Sequence, residues 1–455
     1  MFLLRLSLCR GHPPLRKIVN SMVIATISLL VAGVLAEFGA QLYFRVTKHV
    51  WYHSAETKTS SSDKPGELSE SSLVVIHPYF GYVWSPATTV KSIVGSGRIH
   101  TMTSQNPLPD WTNYRPNNHG FWSPYDYPFP KKSPDDFIIA VLGGSVAQWF
   151  SLQGSQALIN NLRTRRQFSN RRVTILNFAI GGMKQPQQVL ILSYFLGLGQ
   201  ELDCVINIDG FNEIALNMAE NFPRGIDVTM PRSYPLCVSA MSNVSSPEMV
   251  FWRAQVVELR RRISWWKRIW TETNSAAVYY IARKRMNGLE TRLNALEASP
   301  PPVGRNEKSA FFILGSEKGI EAESVLERAA DLWTRASILM NSMAREAGAI
   351  YIHVLQPNQY FSEHMFSHRE KEIALSDQSP YRRFIGNGYR RLLARGSTLR
   401  NQGVNFVSAI NIFDDTSEIV YADSCCHYND FGNQILARFI ANKIIEVVEN
   451  STQAP

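Results

Sequence analysis

Cysteine is scarce in this chain, with five in 455 residues. Cys9, Cys204, Cys237, Cys425 and Cys426 match no zinc-binding spacing, because no second Cys or His pair stands in register with them. No other cluster of ligand residues calls for a metal, and none of the motifs implies a cofactor. There is no internal repeat, which excludes solenoids and propellers. No nucleic-acid recognition motif is present, so nucleic acid is not an expected partner. Charged residues are few, at 19% against 45% hydrophobic, a balance that fits a globular protein and not a disordered one. The net charge is nevertheless +9. A basic balance favours acidic surfaces such as anionic headgroups or acidic polysaccharide, or serves solubility alone.

Long apolar runs are also missing, with one exception. Met22 to Phe44 reads MVIATISLLVAGVLAEFGAQLYF, about the ~20 residues that one bilayer crossing needs. Glu37 and Gln41 fall late in the run, near one interface, where polar groups cost less. The run is long for a signal-peptide core and lacks a clean cleavage site, so an uncleaved anchor is expected. Arg5, Arg10, Arg16 and Lys17 precede it, which places residues 1–21 in the cytoplasm. Residues 45–72 are polar and Ser-rich towards their end and read as a flexible linker. From 73 to about 450 the composition is that of a folded domain.

Five nearly continuous apolar runs predict buried parallel strands: Phe137–Leu142, Val173–Phe178, Asp203–Ile208, Ala349–Leu355 and Val404–Val407. Helical patterns separate them at Gln187–Leu198, Glu321–Ala347 and Tyr381–Asn401, and Asp430–Glu449 closes the chain. Alternating strands and helices predict an α/β fold, a parallel sheet covered on both faces. An insertion at about 215–320 interrupts it. Its segment Glu248–Ala298 is helical in pattern, with Arg253, Arg260, Arg261, Arg262, Lys267 and Arg268 beside Trp252, Trp265, Trp266 and Trp270. Such a helix either lies on a membrane or groove, or packs its tryptophans inward behind a solvated basic face.

Four places carry chemistry. In Ala140–Gln148, AVLGGSVAQ, a strand runs into Gly143-Gly144-Ser145 and a helix follows. Ser145 then stands at the carboxyl end of a strand, where ligands bind in open α/β sheets, and at a helix N-terminus that favours negative charge. Taken alone, such a turn is an ordinary helix cap. In Asn177–Gln185, NFAIGGMKQ, Gly181 and Gly182 offer backbone N–H groups at the same sheet edge. In Asp209–Glu213, DGFNE, the Asn212 amide is a neutral and permanent donor. In Tyr421–Asn433, YADSCCHYNDFGN, His427 is suited to take a serine proton, and Asp423 to fix its tautomer. Gln356-Pro357-Asn358 ends the fourth strand at the same edge, with Gln356 and Asn358 as substrate contacts or merely a turn. His353 within that strand reads as a satisfied core histidine.

The order Ser, Gly, Asn, His resembles the SGNH/GDSL hydrolases, over roughly residues 137 to 445. Their four blocks look like Gly143-Gly144-Ser145, Asn177 through Gly182, Gly210-Phe211-Asn212 and the segment ending at His427. His77-Pro78-Tyr79-Phe80-Gly81-Tyr82 and Asn118-His119-Gly120-Phe121 look like the lead-in of membrane-anchored bacterial members. The resemblance implies a flavodoxin-like three-layer sandwich with Ser145 as nucleophile, His427 as base and Asp423 as orienting acid. The N–H groups of Ser145 and Gly182 and the Asn212 side chain would form the oxyanion hole. Two substitutions depart from the pattern: Gly144 stands where the family has Asp, and Glu213 where it has Asp. The spacing departs too, because the family's acid lies three residues before the His, whereas position 424 is Ser and Asp423 lies four before.

The implied activity is hydrolysis or transfer of an ester-linked acyl group, such as an O-acetyl group on a glycan. The site would face the periplasm from a single-pass anchor in the bacterial inner membrane. A lipid ester is the second enzymatic reading. An inert glycan-binding or assembly protein is the third, favoured by the displaced Asp423. Oligomeric state is not legible.

Overall fold

A computed structural model describes residues 13–48, 74–90, 109–232, 247–298, 314–315 and 319–453. Two compact units result, one of residues 1–62 with 247–301 and one of residues 63–246 with 302–455.

The first unit begins with α1 (Pro13–Lys48), which opens on two prolines whose fixed φ suits a first helical turn. Its stretch Ser21–Val46 is long and apolar enough to cross a membrane. The helix runs four residues past the expected end at 44, since nothing before Lys48 breaks it; the rest of the expected linker lies outside the described residues. The insertion contributes an antiparallel hairpin, Pro247–Glu272 and Ala276–Ala298. Arg260 pairs with Glu297 at 2.8 Å, and the Trp252 indole donates to the Leu296 carbonyl at 2.9 Å, tying the two arms together.

Glu37 joins the hairpin to α1. Its carboxylate accepts the Ser275 hydroxyl at 2.5 Å and the N–H groups of Ala276 and Ala277 at 2.9 and 3.1 Å. These are the orphan donors of a helix start, here capped by a side chain from another element. Ala276 and Tyr279 bury themselves against Ala40 and Phe44, and Tyr43 meets Tyr280 edge-on. The tryptophans divide: Trp252 is half-buried in the hairpin while Trp265 is exposed.

The second unit is the α/β domain. A short hairpin of β1 (Val74–His77) and β2 (Gly81–Trp84) precedes the sheet. The sheet strands are β3 (Asp136–Gly143), β4 (Arg172–Asn177), β5 (Cys204–Asp209), β6 (Ile350–Leu355) and β7 (Asn405–Ser408). Each lies within about two residues of its expected run. All pair in parallel, in the order β4-β3-β5-β6-β7. Counted by sequence within the sheet this is 2-1-3-4-5, the flavodoxin-like order. β3 and β5 are buried along their whole length, which is why β3 past its first residue is apolar without alternation.

The helices Ser155–Arg163 and Asp430–Gln453 pack on each other, and Ala322–Glu346 packs on Gln187–Gly197 and Arg382–Asn401. The chain order reverses beside β3, because β4 pairs on one side of it and β5 on the other. At such a switch point the loops diverge and leave a crevice at the strands' carboxyl ends.

Candidate active site

Ser145 opens the helix Ser145–Trp149, directly after β3. The turn before it admits only glycine. Gly143 has φ +141°, and a Cβ there would strike the Ile208 carbonyl of β5; a Cβ on Gly144 would strike the Asn212 amide. Asn212 thus occupies the space that a side chain at 144 would take.

The Ser145 hydroxyl lies 2.7 Å from Nε2 of His427, and Nδ1 of His427 lies 2.5 Å from the Asp423 carboxylate. A carboxylate only accepts, so Nδ1 carries the proton and Nε2 is left bare to accept from Ser145. The extra residue between Asp423 and His427 is absorbed in the loop. Asp423 Oδ1 accepts the N–H groups of Cys425, Cys426 and His427 at 2.9, 3.2 and 3.3 Å, curling the segment around the carboxylate. Burial works against the charge on Asp423, but the His427 ring and those N–H donors outweigh it and hold the group well below the usual carboxylate range.

The donors expected for an oxyanion gather on the same side. Gly181 sits beside Ser145, 3.7 Å from the serine Cβ to where a side chain would start. Its carbonyl accepts the Tyr82 hydroxyl at 2.9 Å, and its N–H donates to Gln148 Oε1 at 3.1 Å. The same Gln148 oxygen accepts the Trp84 indole N–H at 3.0 Å. Fixing the Gly181 carbonyl fixes the peptide plane, so the Gly182 N–H of that trans peptide points the opposite way. Neither it nor the Ser145 N–H has an acceptor among the described residues. Asn212 spends one amide hydrogen on the Met183 carbonyl, at 2.7 Å, and has a second.

Glu213 latches two of these loops together. It accepts the N–H of Gly210 at 2.9 Å, the N–H of Gln185 at 3.0 Å and the Gln188 amide at 3.2 Å. Burial, reinforced by the Asp209 charge, pushes its carboxyl up to about 8.

Gln356 and Asn358 are almost wholly buried. Asn358 Oδ1 accepts the Tyr360 N–H at 2.9 Å, closing a turn. The segment supports the histidine loop from beneath: Gln359 donates to the Asp423 carbonyl, Tyr360 to that of Ser424, and Tyr428 to that of Pro357. His353 is satisfied in the core, 2.8 Å from Asp209 and 2.7 Å from Ser337.

Several residues here escaped the sequence reading. Gln148 stands one helical turn after Ser145, a spacing that places both on one face, so the signal was available. Tyr82 lay within the lead-in motif without an assigned task. Arg232 comes from the insertion with no motif around it. Its Cδ lies 2.5 Å from where a Cβ on Gly182 would stand, and Glu220 holds its guanidinium at 2.8 and 3.0 Å. Lys184 is fully buried, donates to the Val228 carbonyl, and is pushed down to about 7 by burial. Cys426 is buried in the loop that carries His427. Cys237 lies outside the described residues, and Cys425 and Cys426 are free thiols.

No known protein-family profile matches this chain, and a search of curated proteins finds no significant relative.

Proposed function

We propose that this chain is a membrane-anchored serine esterase or acyltransferase of the SGNH type. The observation that carries the reading is the line from Ser145 Oγ to His427 Nε2 to Asp423, 2.7 and 2.5 Å long, at the carboxyl end of a parallel sheet. Ser145 attacks an ester carbonyl while His427 takes its proton, and Asp423 keeps the ring in the accepting tautomer. The carbonyl oxygen, as it gains charge, meets the N–H groups of Ser145 and Gly182 and the free amide hydrogen of Asn212, each worth roughly 3 kcal/mol in the transition state. His427 then returns the proton to the leaving alcohol. Water, or a second hydroxyl, releases the acyl group from Ser145.

The substrate class we favour is an O-acyl ester, such as an O-acetyl group, on a glycan outside the cytoplasmic membrane of a bacterium. The basic, partly exposed hairpin and the apolar N-terminal helix support work at an acidic polymer near a membrane. The inert-protein reading drew on the displacement of Asp423, and that argument loses force because the carboxylate still reaches Nδ1.

The test is labelling of the full-length protein, in detergent, with a fluorophosphonate probe. Labelling that Ser145→Ala abolishes supports the enzyme. A folded wild-type protein that takes no label sinks it. Acetylated glycan and lysophospholipid, compared as substrates, separate the two ester classes.

A further inference from the structure

Two thiols beside His427, together with its ring, have metal-binding character. The ligand atoms of Cys425, Cys426 and His427 all lie within 4.8 Å of one another. The two sulfurs are 3.8 Å apart. A tetrahedral ion with bonds of about 2.3 Å to sulfur sets its thiolates about 3.8 Å apart, so the thiol pair already has the spacing of two tetrahedral ligands. A disulfide, at about 2.05 Å, would need the sulfurs to close by nearly half that gap.

His427 is prepared as the third ligand. Its Nδ1–H is held by Asp423 at 2.5 Å, which leaves Nε2 as the ligating atom in the carboxylate–histidine–metal arrangement common around zinc. Ser145, hydrogen-bonded to Nε2, stands beside this set. Two cysteines and one histidine with an open fourth place form a known zinc ligand set. The spacing arguments applied to the sequence fail here because adjacent residues in a loop, not separated pairs, supply the ligands.

We infer that Cys425, Cys426 and His427 form a site for a thiophilic divalent ion, zinc being the chemical type, and that its occupation is exclusive with the Ser145–His427 hydrogen bond. Nε2 has one lone pair: it accepts the serine proton or it binds the ion. Binding releases the two thiol protons to solvent, involves no redox change, and turns off serine chemistry at the same atoms. The inhibitory consequence rests on the proposed role of Ser145; the binding itself does not.

The test uses the full chain in detergent, kept reduced by a phosphine, with Co²⁺ as a coloured probe for Zn²⁺. Expected is one Co²⁺ per chain with a thiolate-to-cobalt charge-transfer band. Cys425→Ser should weaken binding about tenfold or more and lose most of the band, while Ser145→Ala retains it. Stoichiometric Zn²⁺ should lower fluorophosphonate labelling about tenfold or more, reversibly with a chelator, and should leave labelling of Cys425→Ser much less affected. No band in reduced protein, or an equal band in Cys425→Ser and in Cys425→Ala, overturns the inference. A normal cobalt band in protein that takes no label without metal would sink the esterase reading and leave the metal site standing.

Discussion

Replacing Tyr82 with Phe removes one hydroxyl and little else, and the loss should be felt at the catalytic step. That hydroxyl holds the Gly181 carbonyl at 2.9 Å, and through the shared peptide plane it aims the Gly182 N–H. A neutral hydrogen bond contributes about 1 kcal/mol net, equivalent to roughly fivefold in rate. Complete loss of an oxyanion donor costs about 10²–10³ in kcat and sets the ceiling. Gln148 still holds the preceding peptide through the Gly181 N–H at 3.1 Å, so the loop is not released altogether. The expected fall in kcat is therefore about 5- to 30-fold, with KM nearly unchanged, because the aimed N–H acts mainly on the charged transition state. Steady-state hydrolysis of an activated aryl acetate is the assay, with Asn212→Ala as the reference for a lost donor. A kcat within twofold of wild type would refute the reasoning. So would a raised KM at constant kcat, which would mean that Tyr82 touches substrate and not the loop.

Asp423→Asn should lower kcat about 10³- to 10⁴-fold while preserving the fold, since an amide favours the wrong tautomer of His427; a loss below tenfold in the same assay would count against Asp423 as the orienting acid. The carboxyl of Asp423 is held low in the folded state, so it stabilises the protein above its unfolded value of 3.8 and that contribution fades as pH falls below it; the urea midpoints of wild type and variant should keep their gap down to about pH 4 and approach each other only as pH falls further. Glu213 works in the opposite direction, because folding raises it from 4.5 to about 8, so the folded state keeps a proton that the unfolded state releases and stability declines as pH rises. Glu213→Gln should flatten the decline in urea midpoint from pH 5 to 7, and a slope equal to wild type would contradict the assignment. Gly388→Ala, whose Cβ would land on the Ile214 side chain, should destabilise by about 1–2 kcal/mol in urea unfolding, despite the better helix propensity of Ala.

Much of the α/β unit could be read from its runs of apolar residues. β3 and β5 are buried on both faces, and no polar residue interrupts the run at β3's centre. The positions of Ser145 and His427 followed from that reading, since each leaves the sheet region at a loop marked by glycines or by the last helix. Contacts that depend on a side chain's path, not on the spacing of types, stayed hidden. Asp423 looked misplaced because spacing alone cannot show three backbone N–H groups curling a loop around its carboxylate. Spacing also does not show that Gln356 and Asn358 are buried, in a segment hydrogen-bonded to the loop of His427. Arg232 gave no warning, because its neighbours Tyr82 and Gly182 are far away in sequence.

The carboxylate at Glu37 has a practical consequence for anyone preparing this protein. Cutting away the first 48 residues to gain solubility would strip Ser275, Ala276 and Ala277 of their acceptor and bare the ring of Tyr279 to water. A shortened version should therefore be cut twice, losing the hairpin along with the leading helix, or be kept whole in a lipid-like environment.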